Sequence, residues 1–340
     1  MRLTRRGKAV VGVCVAGFAL AALSGARALN AVVLPGLVAL AAGVIQLRYR
    51  PTPTVSRSAR KVGAVGGTDE VTLSFSGVAR PFVGVVSDRA DDGLSAPDAT
   101  VRAAVGGEPV TYEVTYESRG ERELGPVEIT TGDVFGLFET EMVLSETDRV
   151  LVYPRVRELG GAIRDELYAL SAADAPESRT EFDRLREYVR GDATRDVHWK
   201  STAKREELIV REFAPDAEVE AVHVAAGSTP DAADEMAEAA ASVALALLDA
   251  DVPVTLSLPD RRIEADPNRR GRTAVLEGCA LASGGPVAGA DADVVVRAEP
   301  GGTRVILGDR TATFADLRRG GSSRRPDRST RRAPTGGSTA

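Results

Sequence analysis

Residues 181–213 read EFDRLREYVRGDATRDVHWKSTAKREELIVREF, and five groups that can move protons or hold a hard cation fall close together there: Asp192, Asp196, His198, Lys200 and Glu206. Carboxylates beside a lysine can hold Mg²⁺ and orient water for phosphodiester cleavage. One reading is therefore a metal-dependent hydrolase of nucleic acid or phosphoesters, acting through Asp192, Asp196 and Lys200. No known nuclease spacing, nucleophile elbow or phosphate loop accompanies them. The same stretch supports two other readings. Arg186, Arg190, Arg195 and Arg211 interleave with Glu187, Asp192, Asp196 and Glu212. Guanidinium forks pair bidentately with carboxylates, so the segment can be a structural clasp that buries Phe182 and Trp199. If Trp199 and Tyr188 are instead exposed within an arginine rim, the composition is that of an interface hot spot.

The order of these residues is itself distinctive. Arg186-Glu187-Tyr188, Gly191-Asp192, Arg195-Asp196-Val197-His198-Trp199-Lys200, Thr202-Ala203-Lys204 and the run from Leu208 to Phe213 together resemble the signature of the domain-of-unknown-function 58 family. Upstream, Phe135-Gly136-Leu137-Phe138 and Val152-Tyr153-Pro154 are similar to that family too. Its F-G-L follows Asp-Pro where this chain has Asp133-Val134, and it usually has Arg where Lys204 stands. The resemblance covers most of residues 1–260. It implies a von Willebrand factor A-like α/β domain after the signature and a non-enzymatic interaction or scaffold role. It also implies a MoxR-type AAA ATPase and a transglutaminase-like membrane protein as partners. The positions it marks as partner-binding or structural are Arg186, Glu187, Tyr188, Gly191, Asp192, Arg195, Asp196, Trp199, Lys200, Thr202, Lys204, Arg211, Glu212 and Phe213. Metal-binding A domains end their first strand with D-x-S-x-S, and here the equivalent point reads Ala226-Gly227-Ser228-Thr229-Pro230. A hard cation needs charged oxygen ligands, so neither metal nor other cofactor is expected. Ser228 and Thr229 remain available to cap the following helix.

Composition narrows the classes further. Residues 1–50 hold seven cations and no acids, residues 316–340 hold seven arginines against Asp316 and Asp327, and the intervening body is strongly acidic. Such a body repels nucleic acid over most of its surface, so no sequence-specific nucleic-acid partner is expected. Thirty-nine of the basic residues are Arg and four are Lys, which resembles a salt-adapted, GC-rich host such as a halophilic archaeon. Cys14 and Cys279 cannot build a disulfide framework, and His198 and His223 cannot supply a multi-histidine metal centre. Cys14 reads as a small apolar filler and His223, in an apolar run, as a hydrogen-bonded core histidine.

The elements that must carry these residues begin with two apolar runs, 9–26 and 28–47. At about 1.5 Å per residue each approaches the ~30 Å hydrocarbon core. A helical hairpin at residues 9–47, inside an anchor at 1–50, is thus expected to span the cell membrane twice. Gly12, Gly17, Gly36 and Gly43 would let its helices approach. Arg2, Arg5, Arg6 and Lys8 precede the first span and Arg48 and Arg50 follow the second, with Arg27 alone at the tip. Both ends, and the body from Pro51, should face the cytoplasm. An A-x-A at residues 26–28 raises the rival of a cleaved leader, which the adjoining second apolar run opposes.

Within residues 51–155, the stretch from about Glu70 to Pro154 alternates with period two, as in Val71-x-Leu73-x-Phe75 and Val110-x-Tyr112-x-Val114-x-Tyr116. Six or more short strands without helical pattern predict an immunoglobulin-like β-sandwich that serves as a spacer or binding module. Residues 156–315 switch to alternating helices and strands, which predicts an α/β domain with a mainly parallel sheet. The expected order is a helix at 181–189, strands at 207–213 and 220–226, a helix at 230–250, a strand at 252–258, a helix at 272–283, and strands at 292–298 and 303–307. Residues 316–340 lack apolar periodicity and are expected to be disordered. The double change Asp192→Asn with Asp196→Asn separates the readings of the charged segment. A hydrolase loses activity and keeps its fold and partners, whereas a clasp loses melting temperature because part-buried arginines are left unpaired.

Overall fold

The computed structural model describes residues 1–24, 30–161, 167, 184–187, 209–212, 221–289, 291–308 and 310–319. The chain divides into two compact units, Met1–Arg155 and Val156–Ala340.

The first unit opens with a two-residue strand, β1 (Arg2–Leu3), then helices α1 (Arg5–Ser24) and α2 (Asn30–Arg48). Both helices are long and apolar enough to cross a membrane, with mean hydropathies of 1.6 and 1.8. Val13, Val15, Phe18, Leu20, Leu23, Leu34 and Val38 are all more than half exposed, so these are not the core helices of a globular domain. The helices meet where glycine permits. A Cβ at Gly17 would lie 2.8 Å from a methyl of Val33, and one at Gly36 would lie 2.5 Å from Sγ of Cys14. Cys14 is buried in that seam, as its size suggests. Two of the expected seam glycines serve otherwise. Gly12 has nothing within 4 Å, and Gly43 faces Phe138 and Asp133 of the following domain.

Ten strands follow: β2 (Thr54–Ser58), β3 (Val62–Ala64), β4 (Thr68–Ser76), β5 (Phe82–Ala90), β6 (Leu94–Ser95), β7 (Thr100–Val105), β8 (Val110–Tyr116), β9 (Gly120–Gly132), β10 (Phe138–Leu144) and β11 (Asp148–Tyr153). They form a four-stranded sheet in the order β2-β4-β8-β6 and a seven-stranded sheet built around β9, which pairs with β5, β10 and β11. The alternation in the sequence is the alternation of burial. Val71 and Leu73 of β4 and Val110, Tyr112, Val114 and Tyr116 of β8 face the core, where they meet Val86, Leu124, Val127, Ile129 and Val152 from the other sheet. β1 was not legible as a strand. It adds to the edge of the large sheet, with Arg2 opposite Glu139 and Leu3 opposite Phe138 of β10.

One buried polar cluster bridges the sheets. Arg57 of β2 donates from Nε and Nη2 to the two oxygens of Asp88 on β5, at 2.9 and 2.8 Å, and from Nη1 to Asp148 at 2.7 Å. Tyr112 of β8 donates to Asp88 at 2.7 Å. The Arg57 and Asp88 side chains are 1% and 0% exposed. Burial alone would lower the pKa of Arg57, but the two carboxylates outweigh it and raise it. Burial, with Asp88 beside it, raises Tyr112 as well. Gly125, at φ 109°, leaves room for the guanidinium: a Cβ there would lie 3.0 Å from Nη2 and 2.7 Å from the Glu146 carbonyl. Nearby, burial and Asp69 push the Tyr116 phenol up to about 12.

The second unit contains β12 (Arg184–Glu187), β13 (Ile209–Glu212), β14 (Val222–Ser228), α3 (Ala233–Asp249), β15 (Val254–Leu258), β16 (Arg261–Ala265), α4 (Arg269–Leu281), β17 (Val294–Glu299), β18 (Gly302–Leu307), β19 (Arg310–Thr313) and α5 (Phe314–Arg319). The main sheet runs β16-β15-β14-β17-β18-β19. It is mixed, not mainly parallel: β14 is parallel to β15 and β17, while β15–β16, β17–β18 and β18–β19 are antiparallel. The cause is connection length. Pro259-Asp260 and Pro300-Gly301 leave only two residues between strands, enough for a hairpin and far too few for a crossover. α3 is alanine-rich and buried over most of its circumference, in a core with Val224, Leu256, Val294 and Val305. α4 starts three residues earlier than the apolar pattern indicates, because the Asn268 side chain accepts from Gly271 N–H at 2.9 Å and caps it. Residues 316–319, expected to be disordered, are the last turn of α5, with Leu317 buried. Residues 320–340 lie outside the described set.

Removing the Arg57 side chain strands Asp88 in the sandwich core, a loss of about 3–5 kcal/mol. Arg57→Ala should lower the melting temperature of the detergent-solubilised chain by more than about 10 °C for a domain of this size. Tyr112→Phe, which removes one hydrogen bond, should cost about 1 kcal/mol. Circular dichroism melts of the two variants measure both.

Candidate functional site

The charged segment is framed by a short ladder. β12 and β13 pair antiparallel, with Arg184 opposite Glu212, Leu185 opposite Arg211, Arg186 opposite Val210 and Glu187 opposite Ile209. The sequence pattern predicts a helix over 181–189, and Arg184–Glu187 is a strand instead. Cross-strand pairing overrides a short 3.6-residue pattern. The ladder brings Arg186, Glu187, Arg211 and Glu212 onto one two-stranded unit. Tyr188, Gly191, Asp192, Arg195, Asp196, Trp199, Lys200, Thr202, Lys204 and Phe213 lie outside the described residues, as do His198, Glu206 and the remaining clasp candidates.

A second candidate is set by topology. β15 lies on one side of β14 and β17 on the other, so the connections leave β14 in opposite directions. Open α/β sheets bind ligands at such a switch point, beyond the carboxyl ends of the strands. Here the chain's own Ser283-Gly284-Gly285-Pro286-Val287 occupies that place. Ser228 N–H donates to Gly285 O at 2.7 Å, and Thr229 N–H to Ala298 O at 3.2 Å. A Cβ on Gly227 would lie 2.4 Å from Val287 N, and one on Gly284 would lie 2.9 Å from Thr229 O. Only glycine allows backbone to pass backbone at that distance. Thr229 precedes the 3₁₀ turn Pro230–Ala232 and makes no side-chain cap, contrary to the expectation from sequence. The Ser228 hydroxyl is buried without a hydrogen-bond partner among the described residues. No group of three or more His, Cys, Asp or Glu side chains among the described residues could hold a metal ion.

His223 lies on the face of β14 away from α3. Its Nε2 is 2.8 Å from Oγ of Ser257 on β15, and its N–H donates to Asp293 at 2.8 Å. A serine against an imidazole is the first half of a nucleophile–base pair. The carboxylate that would orient the ring is instead spent on the histidine's main chain. Ser257 is buried and paired mid-strand with Arg262. The pair satisfies two polar groups on a covered sheet face, as the sequence reading of His223 holds. Ser257 was missed because a lone serine in an apolar strand carries no signal. The Gly284-Gly285-Pro286 run was visible as a turn, but its place over β14 depends on strand order.

With this geometry established, comparison with known proteins is informative for the second unit. The family described as "Protein of unknown function DUF58" matches residues 184–299, from the first residue of β12 to the last of β17. The chain is 26% identical over 110 residues to the "Uncharacterized protein YeaD" of Bacillus subtilis, which covers 31% of this chain and 28% of that protein's length. Among solved structures, a cohesin module from a Clostridium perfringens family 33 glycoside hydrolase is 14% identical and covers 29% of this chain and 96% of the module. Its TM-score is 0.20, too low to define a shared fold.

If residues 283–287 fill the switch point by close backbone contact, enlarging Gly227 must displace them. Gly227→Ala should lower the melting temperature by several degrees, an overpacking cost of about 1–3 kcal/mol. Gly12→Ala, where the added carbon meets nothing, should leave it unchanged.

Proposed function

We propose that this chain is a membrane-tethered, non-enzymatic interaction protein whose body faces the cytoplasm. The observation that carries the reading is the ladder between β1 and β10. It ties the residues before the first apolar helix to the domain after the second, so both lie at the same end of the hairpin. The cations Arg2, Arg5, Arg6, Lys8, Arg48 and Arg50 then act together at that end, and cation-rich flanks stay in the cytoplasm. The sandwich is a rigid spacer, and the second unit, with three parallel central strands and a helical crossover, is the docking body. Its likeness in strand order to von Willebrand factor A domains and its working partner, a MoxR-type AAA ATPase with a transglutaminase-like membrane protein, belong to this proposal and rest on the family resemblance. The partner contact is assigned to the signature, Arg186 through Phe213, with Trp199 as its anchor.

Single cysteines at exposed Asp92 and Glu299 test the topology, since the native Cys14 and Cys279 are buried. An impermeant maleimide should modify neither position in intact cells and both after lysis. Modification without lysis overturns the topology and the cytoplasmic partner together. For the partner, a tagged full chain in detergent should retain the ATPase, and Trp199→Ala should release it without lowering the melting temperature.

A further inference from the structure

The turn between β9 and β10, Asp133-Val134-Phe135-Gly136-Leu137, presents apolar side chains outward although it is tightly ordered. Val134 is 80% exposed and Phe135 54%. The Asp133 carboxylate accepts from Phe135 N–H at 2.9 Å and Phe138 N–H at 2.6 Å, and Gly136 N–H donates to Asp133 O at 3.0 Å. The remaining contacts go to the helices. Val134 N–H donates to Oε1 of Gln46 on α2 at 3.1 Å. Thr4, just before α1, donates its N–H to Leu137 O at 2.9 Å and its hydroxyl to Gly136 O at 2.7 Å. Two glycines seat the turn, one on each helix. A Cβ at Gly7 would lie 2.2 Å from Leu137 O, and one at Gly43 would lie 3.0 Å from the Phe138 ring and 3.2 Å from the Asp133 carboxylate.

The seats fix the depth of the turn. Gly43 is five residues inside Arg48, about 7 Å along the helix axis, and Gly7 adjoins Lys8 at the mouth of the other apolar run. Exposed Arg5, Arg6, Lys8, Arg48 and Tyr49 surround the same level. Cations and a tyrosine at the end of an apolar helix mark the boundary between headgroups and hydrocarbon.

We propose that Val134 and Phe135 insert into that boundary, so that the β-sandwich is docked on the bilayer surface as well as tethered to it. This rests on the reading that α1 and α2 cross a membrane. Entry into a low-dielectric layer requires the backbone to be satisfied beforehand, and the main-chain donors of Val134, Phe135, Gly136 and Phe138 already have partners in the protein. The large side chains that the turn exposes, Val134 and Phe135, are apolar. The surrounding cations favour anionic headgroups.

Tryptophan fluorescence of the full chain in phosphatidylcholine–phosphatidylglycerol vesicles tests the depth. Trp199→Phe removes the sole native tryptophan, and single tryptophans replace Phe135, Val134, Phe18 or Asp92. Phe18 is on the exposed face of α1. Asp92 lies beyond Asp91, whose N–H bonds Glu123 O near the far end of β9, about 30 Å from Gly132. Phe135→Trp and Val134→Trp should emit at shorter wavelength than Asp92→Trp and be quenched at least twofold by lipids brominated near the headgroup. Phe18→Trp should be quenched by lipids brominated deeper in the chain, and Asp92→Trp by neither. If Phe18→Trp is quenched while both turn variants behave like Asp92→Trp, the insertion is wrong and the spanning helices stand. If Phe18→Trp is not quenched, the spanning reading fails and takes the insertion with it.

Discussion

The structure depends on an apolar surface that water cannot be allowed to keep. Large side chains from Val11 to Leu23 and from Val32 to Ile45 point outward from α1 and α2. At about 1.5–3 kcal/mol each, roughly a dozen of them exceed the 5–15 kcal/mol that holds a domain folded. No rearrangement inside the first unit offsets that, because its sandwich core is already closed by Leu73, Val86, Val114, Leu124 and Ile129. The surface must be covered from outside, and a lipid layer would cover it at no cost in backbone hydrogen bonds, since both elements are helices. The features at the open end of the hairpin follow from this. Beyond the ends of the helices the chain finds polar partners in the sandwich. The main chains of Arg2 and Leu3 pair with β10 and that of Thr4 with the turn after β9, while the Arg50 guanidinium donates from Nη1 to Thr131 Oγ1 and Gly132 O and stacks on Phe82. Burial lowers the pKa of Arg50, and Asp133 opposes that shift.

The Arg57–Asp88 cluster solves a related problem within the sandwich. Two sheets packed only by Val and Leu could slide, since dispersion contacts have little directional preference. A bidentate guanidinium held by carboxylates on β5 and β11, with Tyr112 on β8 as a further donor, has one geometry. It fixes the register of the sheets at one point. The positive φ at Gly125 is needed because the strand passes directly over that point.

Local information made much of this visible. The apolar runs, the period-two alternation of Val110-x-Tyr112-x-Val114-x-Tyr116 and the alanine-rich helix before Asp249 are properties of neighbours in sequence, and they folded as their periods indicate. What was missed depends on residues far apart. Arg2 and Leu3 are a strand only because Phe138 and Glu139 lie beside them. Arg184–Glu187 is a strand because Ile209–Glu212 pairs with it. Gly43 looked like part of a helix seam because its neighbours in the sequence are helical, whereas its contact is 90 residues away. Of the candidate site, four signature residues fall on the described ladder, and that ladder supplies their register and nothing about chemistry. His223 was legible as a core group, but Ser257 was not, because nothing in strand β15 announces a polar partner.

The two candidate sites of the second unit respond to the same constraint in opposite ways. At the switch point the sheet offers a crevice, and Gly227, Gly284 and Gly285 let the chain's own backbone fill it. A ligand entering there would have to break the Ser228–Gly285 hydrogen bond and displace backbone already in van der Waals contact. At the β12–β13 ladder Glu187 pairs with Ile209 and Arg184 with Glu212. A short ladder buries little, and two strands are marginal alone. The fold closes its usual ligand crevice with its own backbone.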